Sequence, residues 1–220
     1  ETGKSSLSIH FAATGAFPKQ SEVQPQKYGF LLVNFDEPLS DIPQIKINDK
    51  FYYSIDVTDD KLFEGILQES KGHIRKIILN KGNNNFEGYE LWLTPGYLLP
   101  EEFVYFLYQI LRAKEQSVTF SRVIFRDVGE LPMRQPILAQ KILSGGSNYI
   151  PVILELLKRM CIDCMFVCSV DSDDNSDRSS KAIERGLSSI AHFRIQAAEE
   201  PRSFTLKGRL IKGDVNISLK

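Results

Sequence analysis

ETGKSS, residues 1–6, matches the second half of the phosphate-binding loop pattern G-x-x-x-x-G-K-[ST]. In a loop of this kind the backbone at Gly3 approaches a phosphate closely, Lys4 reaches the β- and γ-phosphates, and the Ser5 hydroxyl holds Mg²⁺. The first glycine of the pattern would lie upstream of Glu1, so we expect these 220 residues to begin inside the loop of a longer chain. A Gly-Lys-Ser triplet also occurs by chance, and its meaning depends on the structural context supplied by the rest of the chain.

The residues after the loop alternate between helical and strand patterns. A helix is predicted for residues 5–14, because Leu7, Phe11 and Ala12 share one stripe and Gly15 comes next as a stop signal. Residues 28–35 are almost continuously apolar, which is typical of a strand covered on both faces of a parallel sheet. Both elements favour an α/β domain.

The remaining elements are predicted from the same periodicities. Two short strands are expected in residues 45–57, a helix in 59–70, and a hairpin from 74–79 and 86–93, with 45–94 as a candidate insertion. A helix opening at residue 100, a strand at 122–127, a helix at 150–160, a strand at 165–170 and a short helix near 181–188 come next. Three alternating runs, 191–196, 203–211 and 215–219, predict antiparallel strands. The predicted fold is therefore one α/β domain, residues 1–220, with a mainly parallel central sheet flanked by helices and antiparallel strands at the C-terminal edge.

Acidic residues end two of the predicted strands. Asp127 ends the strand at 122–127, and Asp36 and Glu37 come after the apolar run at 28–35. Ligands of open α/β sheets bind outside the carboxyl ends of the strands, so these acids and the opening loop are expected at one edge. An acid at such a position is also often only a turn residue or a helix cap. The pair before Pro38 equally suits a solvated turn.

The order of GKSS, FDEP, VIFRD and LIKG along the chain resembles the KaiC-like branch of the RecA-fold P-loop ATPases. The resemblance covers nearly the whole chain and is poor from about residue 45 to residue 94. It implies a RecA-like core that binds ATP and Mg²⁺. The implied nucleotide-binding residues are Thr2, Gly3, Lys4, Ser5 and Ser6, and the implied metal-binding residues are Ser5 and Asp127.

The same resemblance implies that ATP is hydrolysed. In that family a paired acid after the second strand polarises the attacking water, which corresponds here to Asp36 and Glu37. Glu37 is favoured as the general base because its longer side chain reaches further. Lys4 completes the set of expected catalytic residues. The family's usual pair is Glu-Glu, and Arg126 is unusual in a buried strand, so a slow or inactive ATPase also fits the pattern.

A closing K-x-R-G motif in that family sends basic side chains to the nucleotide of a neighbouring subunit. Lys212-Gly213 matches its last two positions, with lysine in place of arginine, and Arg209 lies one residue from the expected lysine. Lys212 is therefore a candidate nucleotide contact, although a solvated turn lysine explains it as well. RecA-fold relatives form rings or filaments, so the resemblance implies a homo-oligomer or a related RecA-fold partner.

Three functions stay open from the sequence. The first is Mg²⁺-dependent ATP hydrolysis in regulation or signalling, the second is a RecA-fold interaction domain without turnover, and the third is a recombinase-type DNA-repair ATPase. A net charge of −1 does not indicate a DNA partner. The candidate DNA loop at 134–148 holds only Arg134 and Lys141 as basic residues, with no aromatic residue for base stacking.

The cysteines and the apolar content bear on the setting of the protein. Cys161, Cys164 and Cys168 have the spacing of some metal sites, but no fourth thiolate exists and their apolar neighbours favour packing. An odd number of cysteines without a disulfide framework favours a reducing, cytoplasmic setting. No apolar run approaches the roughly 18 residues that span a bilayer, so no membrane partner is expected.

Overall fold

The computed structural model describes thirteen stretches of the chain, which together contain the helices and strands named below. They are residues 4–15, 28–36, 38, 45–46, 52–58, 72–81, 84–113, 118–143, 149–168, 185–187, 193–197, 203–208 and 215–218.

Besides the helical residues 185–187, five α-helices, one 3₁₀ turn and ten strands are described in these stretches. The helices are α1 (Lys4–Gly15), α2 (Pro100–Arg112), α3 (Leu131–Arg134), α4 (Pro136–Leu143) and α5 (Tyr149–Arg159), and the 3₁₀ turn is Val128–Glu130. The first seven strands are β1 (Tyr28–Asn34), β2 (Ile45–Lys46), β3 (Tyr52–Thr58), β4 (Gly72–Lys81), β5 (Asn84–Leu93), β6 (Thr119–Arg126) and β7 (Asp163–Phe166). The last three are β8 (Phe193–Ala197), β9 (Ser203–Gly208) and β10 (Val215–Ser218).

The central sheet has seven strands in the order β2-β3-β4-β5-β1-β6-β7. The pairs β5-β1, β1-β6 and β6-β7 are parallel, and the pairs β2-β3, β3-β4 and β4-β5 are antiparallel. Five of the seven strands therefore point the same way, which makes the sheet mixed and mainly parallel. Segment 45–94 supplies β2, β3, β4 and β5, so it contributes directly to this sheet.

Helices cover both faces of the sheet, which is why β1 is apolar along almost its whole length. On one face α1 buries Ile9, Ala12 and Ala13 together with Phe30 and Leu32 of β1. The opposite face is covered by α2, α4 and α5, which bury their apolar stripes against the alternate residues of β1, β5 and β6. A strand covered on both sides must be apolar on both sides.

Most of the predicted elements are confirmed. The structure contains the helix after residue 4, the strand at 28–35, the hairpin, the helix from Pro100, the strand before Asp127 and the helix near 150–160. The predicted helix at 59–70 lies outside the described residues. Of the predicted helix near 181–188, only residues 185–187 are described, and they are helical.

The antiparallel strands differ in position from the prediction. The C-terminal strands pair antiparallel with one another, in the order β10-β9-β8, as a three-stranded sheet of their own. Among the described residues they form no ladder with the seven-stranded sheet, whose antiparallel part is β2 to β4 instead. Local patterns predict how these strands pair with each other, but attachment to an edge depends on contacts between distant segments.

The end of α5 is fixed by a Schellman motif, which leads the chain into β7. The N–H of Ile162 donates to the carbonyl of Leu157 at 2.9 Å, and the N–H of Cys161 donates to that of Lys158 at 3.0 Å. Cys161 takes a left-handed backbone conformation with φ 57°. Ile162 and Leu157 are both buried, which supplies the apolar contact that usually accompanies this motif.

Candidate functional site

The carboxyl ends of β1 and β6 lie side by side. Asn34 and Arg126 are register partners in the parallel pair, and just beyond them the N–H of Phe35 donates to the carbonyl of Arg126 at 3.2 Å. Asp36 lies two residues beyond the end of β1, and Asp127 comes directly after β6. Both predicted acids therefore lie at the same edge of the sheet, where ligands of open α/β sheets bind.

Asp36 is held by an ion pair with Arg134. Its Oδ1 lies 2.5 Å from Nη2 of Arg134, which belongs to the short helix α3 that comes after β6. Both side chains are only about one-third exposed, at 39% and 32%. The charge-assisted contact fixes the position of the carboxylate and occupies one of its two oxygens.

The loop after β5 packs against the same region. The N–H of Gly96 donates to the carbonyl of Arg134 at 2.9 Å, and the N–H of Leu98 donates to Oε1 of Gln135 at 2.9 Å. The Gln135 amide also donates to the carbonyl of Thr94. The carboxyl ends of β5, β1 and β6 are thus joined through the α3 turn.

Asp127 turns the chain sharply after β6. Its backbone is left-handed, with φ 54° and ψ 39°, a conformation that aspartate tolerates better than most residues. The N–H of Val128 donates to the carbonyl of Val167 at 3.1 Å, which ties the turn to the end of β7. Oδ2 of Asp127 lies 3.8 Å from Nη2 of its buried neighbour Arg126. A cation thus accompanies the second predicted acid as well.

The C-terminal turn of α1 contacts the first half of β6 through Arg122. The Arg122 guanidinium donates to the carbonyl of Phe11 and, at 2.8 Å, to Oγ1 of Thr14, and it lies over the Phe11 ring at 4.1 Å. Burial lowers the pKa of Arg122, and the carboxylate of Asp163, 3.9 Å from its Nε, opposes that shift. This cluster ties the C-terminal turn of α1 to the middle of β6.

A buried polar network, which sequence reasoning missed, lies beside β1. The carboxylate of Glu90 on β5 is fully buried and accepts hydrogen bonds from the Asn34 amide and from Nε of Arg75, the latter at 2.6 Å. The Arg75 guanidinium lies 5.4 Å from the centre of the Trp92 ring, which stacks on His73. The signal for this network was Glu90 in the middle of the predicted hairpin strand 86–93, with Arg75 on the partner strand.

The other predicted site residues fall mostly outside the part of the chain that the structure describes. Lys4, Ser5 and Ser6 form the start of α1, but their side chains are not described. Thr2, Gly3, Glu37 and Lys212 lie outside the described residues. The separation of the Lys4 amine from the carboxylates of Glu37 and Asp127 is therefore outside them too, and these assignments stay predictions.

The structure also bears on metal binding. Within the described stretches, no group of three or more His, Cys, Asp or Glu side chains is arranged to hold a metal ion. The three cysteines are free thiols. Burial, and secondarily the charge of Asp163, raises the pKa of Cys164 to about 12, so that thiol is protonated and a poor metal ligand at neutral pH.

No protein-family model matches the chain, and comparison with curated proteins gives no significant match. Among the helices that the structure describes, none combines the length and the apolar content needed to cross a membrane.

Proposed function

We propose that the chain is a nucleotide-binding module of the KaiC/RecA-like class that hydrolyses ATP with Mg²⁺, in a regulatory or signalling role. The observation that carries the proposal is the adjacency of the β1 and β6 ends, which brings Asp36 and Asp127 to one edge of the sheet. Ligands of open α/β sheets bind at this edge, and an acid at a strand end can help hold the Mg²⁺ of a bound triphosphate.

The packing of α1 on β1 and β6 supports the same proposal. Phe11 and Thr14, near the C-terminal end of α1, contact Arg122 in the middle of β6, so the helix packs on the strand that ends at Asp127. A helix of 12 residues is about 18 Å long, close to the length of the strands it covers. We infer that its first turn, which begins at Lys4, points to the edge that carries the two acids. Free backbone N–H groups at a helix N-terminus favour a phosphate.

Four of the predicted residues then have direct roles in phosphoryl transfer to water. Lys4 and the N–H groups of the opening turn bind and orient the phosphates, and Glu37 orients the water and accepts its proton. The Ser5 hydroxyl and the Asp127 carboxylate offer the oxygen ligands that Mg²⁺ prefers, and the bound ion would neutralise phosphate charge. Arg126, beside Asp127, would compete with the ion for that carboxylate.

Nucleotide binding is the first experiment. Binding of a fluorescent ATP analogue should require Mg²⁺ and should be weakened at least tenfold by Lys4→Ala. Asp127→Asn should weaken Mg²⁺ binding specifically, so that nucleotide binding needs a higher Mg²⁺ concentration. The change keeps the size of the side chain and removes its charge. Glu130→Gln, an exposed acid in the same turn, is the matched control and should bind as the unchanged protein does. Equal binding by the unchanged chain and Lys4→Ala would contradict the proposal.

Hydrolysis is tested separately through Glu37→Gln. This change should leave nucleotide affinity within about threefold and abolish phosphate release, because the amide cannot accept the proton of water. A variant that releases phosphate at the original rate would remove Glu37 from the mechanism.

One observation favours a second candidate, a RecA-fold interaction domain that binds nucleotide without turnover. Both described acids have a cation beside them, Arg134 at Asp36 and Arg126 at Asp127. On this hypothesis the unchanged chain binds ATP and releases no phosphate. The Arg134→Gln variant then separates two cases. If the arginine suppresses hydrolysis, the variant releases phosphate from ATP; if the catalytic residues themselves are inactive, it does not.

A further inference from the structure

The outer face of α2 carries an ordered stripe of exposed side chains. Its inner face is buried in the core, whereas Glu101, Tyr105, Tyr108 and Arg112 are exposed and succeed one another at helical spacing. Tyr105 is 57% exposed and Tyr108 is 42% exposed. Aromatic side chains that follow one another on an exposed face are enriched at protein–protein interfaces.

A groove between α2 and α5 continues this stripe. Its volume is about 420 Å³, and its walls are Glu101, Val104, Tyr105, Tyr108, Tyr149, Val152 and Leu156. Val152 on α5 is 51% exposed. The Tyr149 hydroxyl donates to the Glu101 carboxylate, which joins the first turns of the two helices. The two helices and the groove form one surface, called here the α2–α5 surface.

We propose that the α2–α5 surface binds a second copy of this chain, with the two α2 helices antiparallel about a twofold axis. The order of side chains along α2 favours this pairing. Glu101 and Arg112 are equally far from the midpoint between Phe106 and Leu107, and so are Tyr105 and Tyr108. A twofold axis through that midpoint sets Glu101 of each copy against Arg112 of the other, and Tyr105 against Tyr108. The stripe therefore matches a second copy of itself that runs in the opposite direction, with acid against base at both ends and tyrosine against tyrosine in the middle.

The charges of the stripe favour a second copy of the chain over a partner that carries charge of one sign. Glu101 lies at one end and Arg112 at the other, and Arg112 forms no ion pair within the part of the chain that the structure describes. A uniformly charged partner, such as an anionic membrane or a nucleic acid, would meet repulsion at one end. An identical copy meets attraction at both. This pairing closes at two subunits and so differs from the head-to-tail contacts of rings or filaments.

Charge reversal tests the pairing in the full chain by sedimentation velocity across a concentration series. The unchanged protein should form dimers whose fraction rises with concentration. Glu101→Arg and Arg112→Glu should each raise the dimer dissociation constant at least about tenfold, because like charges then face each other at two places. The doubly changed protein should regain the original dissociation constant. Glu130→Arg, which reverses an exposed charge outside the surface, should have no effect.

Mixing the two single variants gives the decisive outcome. One variant presents only positive charge along the stripe and the other only negative charge, so the mixture should form heterodimers at concentrations where each variant alone is monomeric. Circular dichroism checks that each variant is folded. Tyr105→Ser should also weaken the dimer, whereas Tyr97→Ser, at a tyrosine that is 77% exposed elsewhere, should not. A monomeric unchanged protein, or a dimer that both charge reversals leave intact, would overturn the proposal.

Discussion

Arg75 and Glu90 face each other across the β4–β5 hairpin, with Nε of Arg75 2.6 Å from Oε2 of a glutamate that is fully buried. The other oxygen of the same carboxylate accepts a hydrogen bond from Asn34 on β1. This carboxylate therefore connects three adjacent strands in the middle of the sheet. A buried charge is tolerated only when its partners replace the water it has lost.

Glu90→Gln should destabilise the protein by roughly 2 kcal/mol, because a hydrogen bond to a charged group is replaced by a weaker neutral one. The free energy of unfolding in urea measures the effect. Arg75 keeps some exposure to water, which limits the loss.

The control for Glu90 lies on the same strand. Glu87 pairs with Lys76 at 3.1 Å, and both side chains are about one-fifth exposed. Glu87→Gln should cost less than about 1 kcal/mol, as is usual for ion pairs near the surface. If the two variants lose the same free energy of unfolding, burial is not what makes the Glu90 contacts stabilising.

Gly88 leaves room for the ring of Phe30, its register partner on β1. A Cβ atom at Gly88 would lie 2.5 Å from Cε2 of Phe30, a side chain that is fully buried. Gly88→Ala should therefore destabilise the protein by about 1–2 kcal/mol, since overpacking outweighs the small gain from replacing a strand glycine.

Two comparisons check the Gly88 prediction in thermal or urea unfolding. At Gly96 the nearest atom to an added Cβ is 3.8 Å away, so Gly96→Ala should change stability by less than about 0.5 kcal/mol. Adding Phe30→Leu to Gly88→Ala should cost less than the sum of the two single changes. Additive costs would mean that the ring does not cause the effect.

Cys161→Gly should stabilise the protein by about 0.5–1 kcal/mol, because Cys161 has φ 57° and glycine carries no strain there. Urea unfolding at constant slope is the measurement. Cys161→Ala removes the thiol, keeps the strain and should be nearly neutral. A stabilised alanine variant would assign the effect to the thiol instead of the backbone.

The pKa of Cys164, raised to about 12 from an ordinary 9.0, predicts a pH dependence of stability. Because the folded state holds the proton more tightly than the unfolded chain, the contribution is complete below pH 9 and is lost as the pH rises toward 12. The free energy of unfolding of the unchanged protein should fall in that range relative to Cys164→Ala. Parallel curves for the two proteins would contradict the prediction.

Local sequence patterns were sufficient to predict most of the helices and strands. The apolar run that forms β1 and the stripe of α2 are both properties of consecutive residues, and both were predictable. The same holds for the shared edge of Asp36 and Asp127, since parallel neighbours end at one edge.

Contacts between distant segments were not predictable. Asp36 and Arg134 are 98 positions apart, and nothing near either residue indicates the other. Glu90 contacts Asn34 because β5 lies next to β1, which depends on strand order in the whole sheet. The left-handed conformation of Cys161 is a consequence of the Schellman motif, whose usual glycine is missing here.

The outermost strands of the seven-stranded sheet are short where the structure describes them. β2 has two residues and β7 has four. A short edge strand offers few unpaired backbone groups to a strand of another chain, which is a common natural defence against edge-to-edge aggregation. At the β7 border, whose flanking residues are described too, a second copy of this chain would find only four residues to extend, and the helical surfaces are the better place for recognition.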